Sequence, residues 1–538
     1  MKEKEFNLID EPWIRVMDEN CEVVEISLLD AIINAHKYKR LSGELPTQDV
    51  AVMRLILAVL HTIVSRYDEY GDENDLEDSE DDALDRWKGL WEQGYFPENA
   101  VREYLEQWHE RFWLFHPVRP FGQVAGLTSG TDYNSPKLNG EISESSNKIR
   151  LFSAYSGKEK SYLTYSQAAR WLLYLNAYDD TSAKPTKEGK AKAGGSLPSP
   201  GAGWLGKLGL IYITGNDLFE TLMLNLVMIN KDEVQSEQKP LWEYENISDG
   251  ERTKIAIPDN LAELYTIQSR RLLLNRDNGE VISYKLLGGD FFDKENAFFE
   301  PMTVWRTPKK DGEDYNPKRH DSSRQMWREF SVMYNEENKN RRAGIVNWFE
   351  TLFGNACISK TYIMKTTIAS VEYGDKDFFV KNVFIDSLSM HSEILSDVGK
   401  DWRSDIETEI QHCEDLAKEI GLFAQNLYIA SGGSDNDTES IRSNAKSQLY
   451  YRLDVPFREW LISIKPDAMG DDKKGKIEEW HGKAKKIAFE YADELMENTA
   501  ECALIGHMVN EKLFSAPRAK NKLYSQVNKI YERSDKHE

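Results

Sequence analysis

The sequence has few cysteines, and their spacing matches no familiar site. Four cysteines in 538 residues lie far apart and form no C-x-x-C pair: Cys21, Cys357, Cys413 and Cys502. This pattern indicates neither a zinc ribbon nor a disulfide framework. We therefore expect free thiols packed in the core.

Long apolar runs are also missing. No stretch approaches the roughly 18 consecutive apolar residues of a membrane span, and the charged start at Met1–Glu5 lacks the apolar core of a signal peptide. The mean hydropathy is −0.61 and 40% of the residues are hydrophobic. We predict a soluble, cytoplasmic protein with no membrane partner.

Short catalytic motifs are absent as well. The sequence contains no G-x-x-x-x-G-K-[ST], H-E-x-x-H or G-x-S-x-G. The ten histidines are scattered, so each is predicted to be a surface or packed residue rather than a ligand or a base. We predict that the protein is not an enzyme and has no cofactor; an enzyme with an unrecognised site is an alternative.

Positive charge is scarce overall but concentrated in one stretch. The net charge is −23, which excludes nucleic-acid binding through the average field and leaves only local patches. The stretch from Asn134 to Gly209, however, contains eleven basic and only six acidic side chains. The net charge argues against a free-standing DNA-binding protein, but not against a subunit that joins a nucleoprotein assembly through a restricted surface.

The basic stretch consists of two long loops on either side of a helix. Helical spacing of apolar residues predicts the helix over Tyr165–Leu175. The loop from Thr181 to Gly209 holds seven glycines, three prolines and five lysines. Glycine lets a backbone approach a ligand closely and lysine neutralises phosphate, so the loops suit a nucleic-acid backbone. Two solvated loops, kept soluble by their lysines, are the alternative.

The chain is long enough for two domains. Strand and hairpin patterns mixed with helices predict a mixed α/β (α+β) N-terminal domain over residues 1–395. Four long helical patterns after residue 401 predict an all-α C-terminal domain over 401–538, a four-helix bundle. Asp68–Asp85 holds eleven acids and no lysine or arginine, which favours a solvated or disordered insertion over a metal site.

Several segments, in order along nearly the whole chain, carry a resemblance to a known family. They are Asn7–Ile14, Arg111–Gln123, Tyr265–Arg271, Glu300–Met302 and Trp327–Arg328. Their joint order and spacing resemble the CasA family, the large subunit of the type I-E CRISPR complex Cascade. The resemblance implies a non-enzymatic subunit that partners guide RNA, other Cascade subunits and double-stranded target DNA. It also implies recognition of the protospacer-adjacent motif, help in duplex opening and recruitment of a nuclease-helicase, while base pairing reads the target.

The resemblance also points to site residues. The family's handle-binding loop matches Asn147–Phe152, with Lys148, Arg150 and the aromatic Phe152; for Phe152 the alternative is a small core anchor. The family's glycine loop falls within Gly194–Gly206, and the lysines before it are candidate phosphate contacts. The members of these two sets are Lys184, Lys187, Lys190, Lys192, Gly194, Gly195, Gly201 and Gly203.

Two further family positions differ in how well this sequence matches them. The minor-groove lysine has Lys285 or Lys294 as its candidate. The strand-separating glutamine falls at Lys376–Asp377, where no glutamine stands; an ordinary exposed turn is the alternative there. The cysteine cluster that binds zinc in some members is absent too, so we predict no structural metal. From another class, a stand-alone interaction scaffold without a nucleic-acid role is the alternative function.

Overall fold

The computed structural model describes residues 4–140, 159, 161–181, 184–185, 191–192, 202–245, 258–290, 294–306, 315–334, 342–374, 379–434 and 438–532. The chain divides into two compact units. The first comprises residues 1–324, 332–359 and 364–387, and the second comprises 325–331, 360–363 and 388–538. The last and longest segment of the second unit begins at residue 388, slightly earlier than the residue 401 expected from the sequence, and the unit also includes two short distant segments.

Eleven helices precede residue 388 in the described part of the chain. They are α1 (Leu28–Ile33), α2 (Pro46–Val64), α3 (Glu80–Gln93), α4 (Glu98–Gln107), α5 (Ser135–Leu138), α6 (Tyr165–Tyr178), α7 (Leu218–Asn225), α8 (Leu261–Thr266), α9 (Lys294–Phe299), α10 (Phe330–Tyr334) and α11 (Gly344–Gly354).

The strands of the same part are short and form several small sheets. They are β1 (Glu5–Asn7), β2 (Ile14–Asp18), β3 (Val23–Ile26), β4 (Tyr38–Leu41), β5 (Trp113–Phe115), β6 (Thr131–Asn134), β7 (Lys184–Pro185), β8 (Ala191–Lys192), β9 (Gly209–Thr214), β10 (Ile229–Asn230), β11 (Glu233–Val234), β12 (Arg270–Asp277), β13 (Glu280–Gly288), β14 (Thr303–Arg306), β15 (Asn316–Pro317), β16 (Ile363–Tyr373) and β17 (Val380–His391). The largest sheet has the order β15-β14-β9-β16-β17, and two three-stranded sheets have the orders β12-β13-β6 and β3-β2-β4.

Helix α2 forms the centre of the first core. It is largely apolar and almost every residue is buried, including the polar Arg54 and His61, as expected of a helix enclosed by other elements. Among the described residues it is also the one helix long and apolar enough to cross a membrane, yet 94% of its most apolar window is buried within the protein. It packs against α6 and α8, and so supports the region to which α6 belongs.

The acidic segment before α3 differs from its prediction as a solvated or disordered insertion. The Asp68 carboxylate accepts the backbone N–H groups of Tyr70 and Asp72 at 2.9 Å each. The buried Arg86 donates to the carbonyl oxygens of Val64 and Asn74, at 3.0 and 2.8 Å. Local carboxylate caps and one buried guanidinium therefore fix a turn where composition alone indicates solvation.

The second unit is mainly helical. Its elements after β17 are α12 (Lys400–Ala430), α13 (Glu439–Ile462), α14 (Gly470–Glu497), α15 (Cys502–Ile505), β18 (His507–Val509), β19 (Lys512–Phe514) and α16 (Ala516–Glu532). Helix α12 contacts α13, α14 and α16, and its buried face runs from Trp402 to Ala430. The predicted helical pattern at 512–532 begins later than expected, because Lys512–Phe514 pairs with His507–Val509 as a hairpin.

Candidate nucleic-acid interface

The described flanks of three predicted nucleic-acid loops meet at the C-terminal end of α6. This helix begins with a capping box, in which the Thr164 hydroxyl accepts the Gln167 N–H and the Gln167 side chain accepts the Thr164 N–H. It ends at Tyr178, and Asp179 and Asp180 follow it. These two aspartates are the centre of the contacts described below, and we call the arrangement the α6 junction.

The end of the glycine-rich loop covers the last carbonyl groups of α6. Trp204 N donates to Asn176 O at 3.0 Å, and Leu205 N donates to Ala177 O at 2.8 Å. Gly203 N donates to Asp179 O at 3.0 Å. A helix end leaves such carbonyls without partners inside the helix, so this segment caps α6.

Gly203 is required by this capping contact. A Cβ at this position would lie 2.5 Å from the backbone carbon of Ala177 and 2.5 Å from the nitrogen of Tyr178. Both atoms belong to the backbone and cannot move aside cheaply. Gly203 thus approaches the backbone of α6 closely, and its contact with a nucleic acid stays a prediction.

Three cations surround the two aspartates of the α6 junction. Lys137 Nζ lies 2.9 Å from Asp180 Oδ2, and Lys184 Nζ lies 3.2 Å from Asp179 Oδ2 and 2.8 Å from Asp180 Oδ1. The Arg270 guanidinium donates to Asp179 and also to the Asp180 carbonyl oxygen, at 3.1 Å. Burial opposes the charge on Lys137, but the nearby Asp180 and Asp179 raise its pKa above the ordinary value.

Lys184 has a structural role that differs from its predicted one. Its side chain is 2% exposed and enclosed by Asp179 and Asp180. Separating a buried ammonium from two carboxylates to reach phosphate would leave buried charge uncompensated, which is costly. Lys184 is therefore removed from the candidate phosphate contacts.

The hairpin that carries the predicted strand-separating tip is fixed to the same junction. Tyr373, at the end of β16, donates its hydroxyl to Tyr178 O at 3.0 Å and to Asp179 O at 3.2 Å. Burial raises the pKa of this phenol, so it remains a donor. Beyond it, Gly374 N donates to Phe379 O at 2.8 Å and closes the base of the hairpin.

Three of the remaining candidates are described, and of these Lys192 lies opposite Lys184 in the β7–β8 pair. Lys285 on β13 pairs with Asp132 on the neighbouring strand β6, at 2.8 Å. Lys192 is in β8, whose backbone pairs with β7, and Lys294 is the first residue of α9. The candidates outside the described residues are Lys148, Arg150, Phe152, Lys187, Lys190, Gly194, Gly195, Gly201, Lys376 and Asp377.

Sequence reasoning missed the residues that hold the junction together. In the sequence, Asp179 and Asp180 were counted only as two of the acidic residues in the basic stretch. Arg270 was part of a segment that carries the resemblance, but it was assigned no role. The pair Asp-Asp directly after an apolar helix was the available signal, because a carboxylate there needs a cation if it is buried. Tyr373 gave no signal, since its partners are backbone carbonyl groups 195 and 194 residues away.

Two of the resemblance segments line a cavity of the first unit. This cavity of about 380 Å³ is bordered by parts of 118–127, 172–177 and 264–268, with Arg111 and Arg119 among its lining residues. Within the segment Arg111–Gln123, Phe121 is buried and stacks on Phe112, with ring centroids 5.1 Å apart. Gln123 also accepts the N–H of Leu274, at 2.8 Å.

Comparison with known proteins identifies the family. A sequence model of "CRISPR-associated protein Cse1" matches residues 7–491. The CRISPR-associated protein CasA/Cse1 of Thermus thermophilus is 32% identical over 341 residues, which are 61% of this chain and 60% of that relative. The Cse1 crystal structure from Thermobifida fusca is 27% identical, with a TM-score of 0.80 and 98% of each chain covered.

Two more distant structures share the fold. Cse1 from Acidimicrobium ferrooxidans has a TM-score of 0.78 at 22% identity, with 99% of each chain covered. A chain of a CRISPR RNA-guided surveillance complex has a TM-score of 0.68 at 16% identity, covering 98% of this chain and all of that one. The resemblance found in the sequence is thereby confirmed, and the chain belongs to the CRISPR-associated protein Cse1 family.

Proposed function

We propose that this protein is the non-catalytic large subunit of an RNA-guided CRISPR surveillance complex. Its partners are a guide RNA, the other subunits of the complex and double-stranded target DNA. Within the complex it recognises a short motif that flanks the target and promotes opening of the duplex. It then helps to recruit a nuclease-helicase. It acts in the cytoplasm, without a cofactor for this role, and its C-terminal helices form a four-helix bundle.

The observation that supports this proposal most directly is the α6 junction. The basic loop after Gly140, the glycine- and lysine-rich loop and the β16–β17 hairpin are far apart in sequence, yet residues beside each of them bind Asp179, Asp180 or the end of α6. A recognition site needs contact residues that are held by a rigid support. The junction supplies that support, with three buried or half-buried cations against two carboxylates.

The net charge of the chain is consistent with nucleic-acid contacts that are confined to lysine-rich segments. With a net charge of −23, the chain repels a nucleic-acid backbone except where lysines are concentrated. After removal of Lys184, the candidate phosphate contacts are Lys187, Lys190 and Lys192. Such contacts position a duplex without reading its bases, so motif recognition requires groove contacts in addition.

Co-expression with the other subunits tests this proposal. The untagged chain should purify with them and with guide RNA, and adding it to a complex lacking it should restore binding to duplex DNA that carries one flanking motif. DNA with that motif scrambled should bind more weakly. Purification of the chain without RNA and without other subunits, under conditions in which those subunits assemble with each other, would instead favour a stand-alone scaffold.

A further inference from the structure

Two histidines and one glutamate meet inside the second unit. Glu409 and His412 lie one helical turn apart on α12, and His481 comes from α14. Glu409 Oε2 lies 3.2 Å from His412 Nδ1, and Glu409 Oε1 lies 2.8 Å from His481 Nε2. The three potential ligand atoms all lie within 4.8 Å of one another.

The helices hold these side chains in place. Residues three apart share one helix face, so Glu409 and His412 both point toward the neighbouring helix. Cys413 and Leu416 on the same helix are fully buried. Tyr531 of α16 packs its ring against both imidazoles, with centroids 5.1 Å from His412 and 4.5 Å from His481. Ring packing from a third helix limits rotation of both potential ligands.

The carboxylate at the centre of this cluster is almost completely buried. The Glu409 side chain is 2% exposed, and His412 and His481 are 10% and 14% exposed. Asp405, one turn earlier on α12, adds negative charge nearby; burial raises its pKa, and the charge of Glu409 adds to this effect. Lys473, whose Nζ lies 2.6 Å from Asp405, balances that second carboxylate. A buried carboxylate held by imidazoles is stabilised further by a cation placed between them.

We propose that Glu409, His412 and His481 bind a divalent transition-metal ion of the zinc class. Two imidazole nitrogens and one carboxylate oxygen are a set that such ions prefer. With metal–ligand bonds of about 2.0–2.1 Å, neighbouring ligand atoms in a tetrahedral site lie roughly 3.3 Å apart. The observed nitrogen–oxygen distances of 2.8 and 3.2 Å run to different oxygens of Glu409, Oε1 and Oε2. An ion bound between the imidazoles would therefore be held by both carboxylate oxygens, or by one of them after the carboxylate turns, with all ligand atoms starting within 4.8 Å of one another.

The ion would join α12 to α14 by bonds to side chains of both helices. Tyr531 covers the imidazoles as a positioning residue, and water or another small donor completes the coordination. This site lies outside the cysteine pattern on which the expectation of no structural metal was based. It goes beyond the proposed function because it depends on no nucleic acid.

Metal binding by the full-length chain without a polyhistidine tag tests the proposal. Chelator-treated protein, dialysed against Zn²⁺ or Co²⁺, should retain one ion per chain by elemental analysis, and the Co²⁺ form should show the visible absorption of a low-symmetry site. Saturating Zn²⁺ should raise the Tm, and a chelator should reverse this rise. Mg²⁺ should give no shift, because it prefers oxygen ligands.

Variants distinguish this site from adventitious binding. His481→Gln and Glu409→Gln should each weaken binding by about 100-fold or more, given that loss of even a supporting partner costs about 10–100-fold. The matched control is His109→Gln, which alters a histidine–aspartate pair of the first unit, where His109 Nε2 lies 2.7 Å from Asp10 Oδ2; it should leave affinity and stoichiometry unchanged.

Two results would overturn the site. One is less than 0.1 ion per chain, on the order of background, with no Tm shift for the folded parent chain, which would identify the cluster as a hydrogen-bonded triad only. The other is an unchanged Co²⁺ spectrum in His481→Gln. If that variant fails to fold, the parent chain's stoichiometry, its spectrum and the chelator-reversible Tm shift still decide between a metal site and a triad.

Discussion

The Tyr373 hydroxyl donates a hydrogen bond to the carbonyl oxygen of Tyr178, at 3.0 Å, and so fixes the end of β16 to the end of α6. Tyr373→Phe removes this donor and leaves buried carbonyl groups without it. We expect the free energy of unfolding to fall by about 1–2 kcal/mol, the usual cost of such a loss. Denaturant unfolding of the purified chain measures it.

The same variant also tests the connection to function. If the β16–β17 hairpin acts in duplex opening, Tyr373→Phe should slow opening in the assembled complex at a temperature where the chain is fully folded. Tyr451→Phe, which alters a phenol that is 74% exposed, is the control and should change neither quantity. If Tyr373→Phe destabilises the chain but the complex opens duplex DNA at the normal rate, the Tyr373 hydrogen bond is not needed for duplex opening.

A buried ion pair between α2 and the segment before β14 offers a stability test. Arg54 donates two hydrogen bonds to Glu300, at 2.8 and 2.7 Å, and both side chains are nearly inaccessible. Breaking such a pair leaves one buried charge unpaired, so Glu300→Gln should lower the free energy of unfolding by about 3–5 kcal/mol. Chemical denaturation of the purified variant and parent gives the difference.

The matched control is a surface pair of similar geometry. Arg102 lies 2.7 Å from Glu98, but both side chains are more than half exposed. Arg102→Ala should cost under about 1 kcal/mol. Similar losses in both variants would show that burial adds little to the Arg54–Glu300 pair.

His61 predicts how stability changes with pH. Burial lowers its pKa from 6.5 to about 3, so the folded chain holds a neutral imidazole that becomes protonated on unfolding below pH 6.5. The contribution of this neutral imidazole to the free energy of unfolding is therefore complete above pH 6.5. It falls by about 1.4 kcal/mol per pH unit as the pH decreases toward 3. His61→Phe should flatten the stability–pH curve in that window, measured by unfolding at several pH values.

A second histidine, His320, contributes to the same curve. Some slope should persist in His61→Phe, because burial also lowers the pKa of His320, to about 4. Identical curves for His61→Phe and the parent would contradict the burial argument.

Local sequence signals predicted the elements better than their contacts. The dipeptide Asn278–Gly279 favours a hairpin turn, and the structure has positive φ at both residues between β12 and β13. Ser27 is a residue type that favours the N-cap, and its hydroxyl accepts the N–H of Asp30 at the start of α1. Thr47 is a good N-cap type too, but it lies inside α2, which begins at Pro46, a residue suited to the first helical position.

The candidate site was harder to predict because its support depends on distant partners. In the sequence, Lys184 and Lys187 look alike, because both are lysines of the same glycine-rich segment. Lys184 is nevertheless buried, because Asp179, Asp180 and the fold around α6 enclose it. The Glu409–His412–His481 cluster combines one spacing visible in the sequence with a histidine 69 or more residues away. No local pattern specifies which helix faces meet, so the scattered histidines gave no metal prediction.

The lysines of the glycine-rich loop can be compared with one another, because three are candidate phosphate contacts and Lys184 is buried. Combined Lys187→Ala, Lys190→Ala and Lys192→Ala substitutions should weaken DNA binding similarly across sequences. They should also reduce the slope of log affinity against log salt by up to about 3, because each phosphate contact contributes about 0.9. Binding of the assembled complex to duplex DNA at several salt concentrations measures this slope.

Lys184 is the internal comparison for that triple variant. Lys184→Met leaves Asp179 and Asp180 with one fewer buried cation, so it should lower the Tm while leaving the salt slope of the folded complex unchanged. An unchanged slope in the triple variant would assign the other three lysines to solvent.

The tip beyond Gly374 gives the last prediction. Lys376 and Asp377 lie outside the described residues, but the hairpin base below them is closed by Gly374 and Phe379 and anchored through Tyr373. Parting a base pair costs a few kcal/mol per step, about what an inserted rigid element recovers through new contacts. Lys376 would meet phosphate or a base edge, whereas Asp377 would repel phosphate. Lys376→Ala should therefore slow strand opening on fully paired targets and spare binding to targets already unpaired beside the motif, as stopped-flow fluorescence of a labelled duplex would measure. Equal opening rates on paired DNA would make this tip an ordinary turn.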